Sequence, residues 1–418
     1  MTARPDRRRR VTVVGAVVAL VLVLTAGGLA ALGAVTVIDS EAGETVAADD
    51  RPVVALPSTD NAALAVVDVD GRLTSLIVAT VLPSGRGGSI VTVPVDADAR
   101  GGFGDERIPL EDVLDLDDPA SFFVDVESSL AVSLAYGEVV SADRLAALLE
   151  PVVPVPVDLA VDIVDDDDAG RVPIVRAGES LLSSALTVDV LRASDDQADA
   201  LDQHADDVAV WSALAAQAPA GVVEVPTDEF DRPVPAASVD EVFARLWSGE
   251  VQVRDLALDA STPTRGADVV VLDRRDVLLV FAQVSPAQVS NANPGPVFRV
   301  EIPMTDEQIT STGQFPDRIE AARLMMGELL FLQANVASVD STPDPDGAPS
   351  VTRIEVTDPS LIESMERLGE LAFGEAEVVV ADEVIDGVDV VLRVGTGWLE
   401  VKAANAAATV DTDGDTDG

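Results

Sequence analysis

Apolar positions along this chain recur with two different periods, and the changes between them predict its elements. ALAVVDVDGRLTSLIVATV, residues 63–81, holds two apolar runs separated by Asp70-Gly71. An Asp-Gly pair flanked by apolar runs is a strong hairpin signal. Pro83-Ser84-Gly85 closes the second run, and a glycine-rich stretch at 85–88 leads into IVTVPVD, 90–96. Residues 62–94 therefore predict a three-stranded meander. IPLEDVLDLDDPASFFVDVESSLAVSLAYG, 108–137, holds two helix-like stretches, the second with helical spacing of its apolar residues. SADRLAALLEPV predicts a helix capped by Ser141. VPVDLAVDIVDDDDAG predicts a strand ending in an acidic turn, and residues 178–191, 199–217 and 238–249 predict helices. ADVVVLDRRDVLLVFAQVS, 267–285, has an apolar–Asp–apolar layout that predicts another pair of strands.

NANPGP, 291–296, is a break. Beyond it, PVFRVEIP predicts a strand, PDRIEAARLMMGELLFLQAN a helix, NVASVDS and VTRIEVTD strands, PSLIESMERLGELAFG a helix, and EAEVVVADE and DVVLRVGTGW strands. Such alternation implies a sheet covered by helices. The fold class is α/β. Residues 403–418, AANAAATVDTDGDTDG, predict disorder by composition.

The amino terminus changes the picture. Arg4 and Arg7 to Arg10 precede an uncharged apolar run at 11–37. About 20 such residues cross a bilayer, and the run exceeds a signal-peptide core of about 7–15 residues. The arginines predict a cytoplasmic tail. The expectation is a single-pass anchor in the cell membrane, with the bulk of the chain extracytoplasmic.

Composition then excludes several functions. The formal charge of −47 argues against a nucleic-acid partner. The chain has no cysteine, which removes disulfides and thiolate chemistry. Aromatics are only 3% against 48% hydrophobic residues, so Val, Ala and Leu must build the interior.

The order of these elements resembles the LytR–CpsA–Psr family of envelope proteins. The first likeness spans residues 60–285, best at ALAVVDVDGRLTSLIVATV, at IVTVPVD and at RVPIVRAGESLLSSALTVDVLRASDDQADALDQHADDVAVWSAL. The second spans 296–401, through PVFRVEIP, the helix with Ala321-Ala322-Arg323, TRIEVTDP and VVLRVGTGWLE. The resemblance implies a basic cytoplasmic tail (1–10), a transmembrane anchor (11–37) and a linker (38–57). An extracytoplasmic LCP-like domain (58–288), a linker (289–295), a smaller LytR C-terminal-like α/β domain (296–402) and an acidic tail (403–418) would follow. It also implies phosphotransfer of a glycopolymer from a polyprenyl-pyrophosphate carrier to peptidoglycan. Such a site needs arginine forks and a magnesium ion held by carboxylates.

This chain departs from that pattern. The family strand ends in Pro-Arg-Asp; here it is Pro94-Val95-Asp96. Asp68 or Asp70 matches the first metal-binding aspartate, but Thr74 or Ser75 stands near the second. Where the family places arginines around a glutamine, this chain has Asp195, Asp196, Gln197, Asp202, Gln203, His204, Asp206 and Asp207, with Arg192 nearby. An arginine on a transferring phosphate is worth about a thousandfold or more in rate. The expected function is a non-catalytic scaffold or regulator of cell-wall glycopolymer assembly, without a cofactor. Its partner would be a wall glycopolymer, a polyprenyl-linked lipid or an envelope protein. The alternative is an active phosphotransferase using magnesium at Asp68 and Asp70, with Asp96, Arg100 and Arg192 in a rearranged site.

Other signals carry less. His204, the only histidine, is expected on a helix surface. Asp165 to Asp168 read as a solvated turn, and the DTDGDTDG tail lacks the closing glutamate of a calcium loop. Arg265, Arg274 and Arg275 offer another anion contact in the expected 265–281 hairpin. Ile319, Ala322, Leu324, Met325, Leu329 and Leu330 are expected to form the core face of one helix.

Overall fold

The computed structural model describes residues 51–56, 59–101, 107–167, 170–195, 200–259, 269–286 and 295–413. The expected tail and anchor, 1–37, lie outside these residues, as do Arg265 and most of the 289–295 linker. No helix among the described residues is long and apolar enough to cross a membrane. The fold is mixed α/β, built on two five-stranded sheets.

A short strand β1 (Val53–Ala55) precedes the expected meander of β2 (Asn61–Val67), β3 (Leu73–Val81) and β4 (Gly88–Val93). The chain continues through α1 (Leu110–Val113), α2 (Pro119–Leu130), β5 (Tyr136–Val140) and α3 (Ala142–Leu149). Two hairpin-like pairs follow, with β6 (Val155–Leu159) antiparallel to β9 (Gly178–Leu182) and β7 (Ile163–Asp167) antiparallel to β8 (Gly170–Val175). Then come α4 (Ser184–Leu191), α5 (Ala200–Ala215), α6 (Val239–Trp247), β10 (Val251–Asp255) and α7 (Arg274–Val284). The first sheet has the order β10-β4-β3-β2-β5. β2, β3 and β4 are antiparallel neighbours, while β5 and β10 add in parallel at the two edges.

The three central strands are largely apolar and almost wholly buried because both faces are covered. Leu64, Ile77 and Ile90 enter one core with Trp211, Phe243 and Trp247. Ala65, Leu76 and Val91 face the other, with Phe122 of α2 and Phe281 of α7. Two glycines make this geometry possible. Gly71 turns the hairpin at φ +87°, and a Cβ on Gly88 would collide with the Thr80 carbonyl oxygen.

The second sheet is formed by β11 (Val297–Glu301), β12 (Asn335–Asp340), β13 (Thr352–Val356), β14 (Ala376–Val380) and β16 (Val390–Arg393), while β15 (Val384–Asp386) lies apart from it. Its order is β12-β11-β16-β13-β14. The helices of this half are α8 (Asp306–Thr310), α9 (Arg318–Phe331), α10 (Ile362–Leu368) and α11 (Gly397–Asp413). One apolar core runs from the first sheet through α7 into this second sheet. Arg323 of α9 donates from Nε to the buried Asp276 of α7 at 2.7 Å, adding a charged tie to that apolar contact.

Several expectations are corrected. Residues 274–284 form a helix, not a strand. Asp273 caps it by accepting the Arg275 N–H, and Val277 to Ala282 are all buried. Val277 to Ala282 form a continuous apolar run, which suits a buried strand as well as a buried helix. Residues 178–182 pair with β6, and the helix begins only after Ser183, whose hydroxyl accepts the Leu186 N–H. Residues 155–167 form two strands rather than one. Asp165 to Asp167 lie in β7, and Asp168 lies outside the described residues. Within the expected linker, Val53–Ala55 pairs in parallel with β15. The helix α11 runs through Asp413 into the segment expected to be disordered, and residues 414–418 are not described. The core face of α9 is Ala321, Ala322, Met325, Met326 and Leu329, with Ile319 exposed.

Candidate functional site at the carboxyl edge of the first sheet

β2, β4, β5 and β10 all point the same way, so their carboxyl ends share one edge. In open sheets that edge is where ligands bind. Here it carries Asp68 after β2, Asp96 after β4 and Asp255 at the end of β10.

Asp68 is buried, and its Oδ1 accepts the N–H groups of Asp70 (2.8 Å) and Arg72 (2.9 Å). It holds the turn that the Asp-Gly pair predicts, while Asp70 is exposed. Asp96 is 3% exposed, and its carbonyl accepts the Val270 N–H at 3.0 Å. Residues 95–99 are thereby clasped between β4 and the strand-like segment before α7. Arg100 is exposed, and its N–H is held by Asp98 Oδ1. Arg274, from the start of α7, donates to the Gly101 carbonyl at 3.3 Å, and burial lowers its pKa. Arg275 pairs instead with Asp273. Arg192, at the carboxyl cap of α4, donates from Nε to the Val67 carbonyl at 2.7 Å, next to Asp68. Among the described residues no three acidic or histidine side chains converge as a metal site.

The helix α5 closes over this edge and supplies a group that the sequence does not reveal as connected. Ser75 donates to Asp207 Oδ2 at 2.8 Å, and Trp211 Nε1 donates to Ser75 Oγ at 3.2 Å. Burial pushes the Asp207 carboxyl up to about 7, against the opposing pull of His204, Ser75 and Trp211. His204, three residues before Asp207, meets Asp255 at 2.8 Å. Its side chain is only 11% exposed, which corrects the expected surface position. The reason is that the sheet edge, not solvent, lies under that side of α5.

A cavity of about 60 Å³ opens beside these groups, lined by Thr74, Ile163, Leu191, Asp195, Asp206 and Asp207 among others. Thr74 ties its floor together, donating to the Leu191 carbonyl at 2.9 Å. Asp195 pairs with Arg171, and Gln203 donates to the Asp195 carbonyl. Asp206 is raised by burial and held back by the backbone N–H groups of Ala160 and Val161.

No protein-family model and no curated protein matches the chain. Among solved structures, it is similar to the LytR-Csp2A-Psr enzyme from Actinomyces oris, at 16% identity over 53% of this chain and 91% of that one, with a TM-score of 0.35. It is also similar to TagV of B. subtilis, at 12% identity over 52% and 91%, TM-score 0.35. A third is the family protein YwtF (TagT) with bound octaprenyl pyrophosphate lipid, at 15% identity over 53% and 86%, TM-score 0.35. These are LytR–CpsA–Psr structures, the family that the residues resemble. The likeness spans about half of the chain, and nothing about the chemistry of the site follows from it.

Proposed function

We propose that the chain is an extracytoplasmic cell-envelope protein, anchored through residues 11–37, that acts as a non-catalytic scaffold or regulator of glycopolymer assembly. The supporting observation is the character of the carboxyl edge. Asp68, Asp96 and Asp255 stand at strand ends along that edge and α5 adds Asp207 beside it, where a pyrophosphate would require positive charge.

The test is transfer itself. Full-length protein in detergent micelles is incubated with a polyprenyl-pyrophosphate glycan, magnesium and a peptidoglycan acceptor. An acceptor hydroxyl would form a new bond to the distal phosphorus, and polyprenyl phosphate would leave. We expect no release above background. Release that disappears in Asp96→Ala would establish the alternative, an active phosphotransferase. One observation favours that second reading: Arg192 and Arg274 reach the backbone beside Asp68 and in the loop after Asp96.

A further inference from the structure

The opposite edge of the first sheet, at the amino ends of β2 and β4, carries a groove of about 480 Å³. It is lined by Leu82 and Pro83, from the turn between β3 and β4, and by Asp228, Arg232, Pro233 and Pro235, from one loop. That loop is fixed by its own bonds. Asp228 Oδ1 accepts the Phe230 and Arg232 N–H groups, each at 2.9 Å, and the Val234 N–H donates to the Pro226 carbonyl at 2.8 Å. Its base packs on Gly85, where a Cβ would collide with Val225. Nε and Nη2 of Arg232 both meet Asp228 Oδ2, at 2.9 and 2.7 Å, and the guanidinium lies 4.9 Å from the centre of the Phe230 ring. The guanidinium plane is thereby set, while Nη1 has no partner among the described residues. Asp60 also lines the groove: Oδ2 accepts the Ala236 N–H at 2.8 Å and faces Arg245 at 3.3 Å, which leaves Oδ1 as an acceptor.

We propose that this groove binds a neutral glycan. Both carboxylates that line it are paired with guanidinium groups, Asp60 with Arg245 and Asp228 with Arg232. It therefore offers hydrogen bonds without the acidity that dominates a chain of charge −47. A sugar hydroxyl both donates and accepts, so it answers Asp60 Oδ1 as well as Arg232 Nη1. A phosphate or carboxylate only accepts, and it would meet Asp60 with like charge. Leu82, Pro83, Pro233 and Pro235 give the C–H face of a sugar ring an apolar surface. Phe230, 67% exposed in a chain with 3% aromatics, extends that surface beyond Arg232. Arg232 is already held by Asp228 and Phe230, so little side-chain freedom is lost when a ligand binds. The groove is separate from the carboxyl edge, and a glycan is held here whether that edge transfers one or not.

The experiment is saturation-transfer NMR on the full-length protein in micelles of a detergent without a sugar headgroup. The probes are maltotetraose and the β-1,4-linked tetrasaccharide of N-acetylglucosamine. Saturable transfer to the ring protons of at least one probe is expected. Arg232→Lys keeps the charge and loses the fork, and it should weaken binding about tenfold. Phe230→Ala should weaken it about two- to fivefold. Thermal unfolding checks that both variants fold, and Arg367→Ala, exposed on α10, should bind as the parent does. No transfer to either probe, or undiminished binding in both groove variants, overturns the glycan groove. Displacement of the bound probe by inorganic phosphate, which marks an anion site, or by a proline-rich peptide, which marks a protein partner, overturns it too. Polymer release in the transfer assay overturns the scaffold reading and leaves this groove standing.

Discussion

Asp207→Asn tests whether burial rather than a cation governs this edge. The Asp207 carboxyl is pushed up to about 7 by burial, from an ordinary value near 4. Between those values the folded protein holds a proton that the unfolded chain releases, so stability must fall as pH rises from about 4 through 7. Three units at about 1.4 kcal/mol each set a ceiling of about 4 kcal/mol, and partial solvent screening brings the expected effect to about 2–4 kcal/mol. Asp206, also raised by burial, acts in the same direction and is common to both proteins. The lowered carboxylates, Asp228, Asp240, Glu241, Asp273 and Asp358, act oppositely: their stabilisation is lost only as pH falls below about 4. Asparagine keeps an acceptor for the Ser75 hydroxyl and cannot ionise. Urea unfolding at fixed ionic strength should therefore give similar midpoints for the two proteins at pH 4. At pH 8 the variant should be the more stable. Equal midpoints at pH 8, or a variant weaker at both values, would refute the reasoning.

Two further substitutions probe the scaffold beneath the site. Arg245, with 1% side-chain exposure, pairs with Glu241 and with Asp60 at 3.3 Å and donates to the Val234 carbonyl at 2.7 Å. Arg245→Ala strands those partners and should cost about 3–5 kcal/mol, read as a lowered urea midpoint with unchanged slope. Ser238→Ala, at the other end of the same helix, removes only the cap on the Glu241 N–H. It should cost about 1 kcal/mol in the same assay.

The meander from β2 to β4 was legible because its signals are local: apolar runs, an Asp-Gly turn and a closing Pro-Ser-Gly. The cap at Ser141 was legible for the same reason, lying within three residues of the amide it holds. α7 was misread because the apolar run Val277 to Ala282 suits a buried strand as well as a buried helix, and nothing local decides between them. His204 was misplaced for a related reason. A polar residue on a helix looks solvated until the element beneath it is known, and here that element is the carboxyl end of β10.

Net charge, the α/β alternation and the valine standing between Pro94 and Asp96 belong to the amino-acid order alone, as does the apolar run at 11–37. Which carboxylates meet was decided by the chain's return. Ser75 and Asp207 lie 132 positions apart and touch only because α5 folds over the edge of the sheet. The burial that raises Asp207 and leaves one Asp206 oxygen without a donor arises in the same way. Hydrophobic period and turn chemistry act over a few residues, whereas desolvation depends on every element packed around a group.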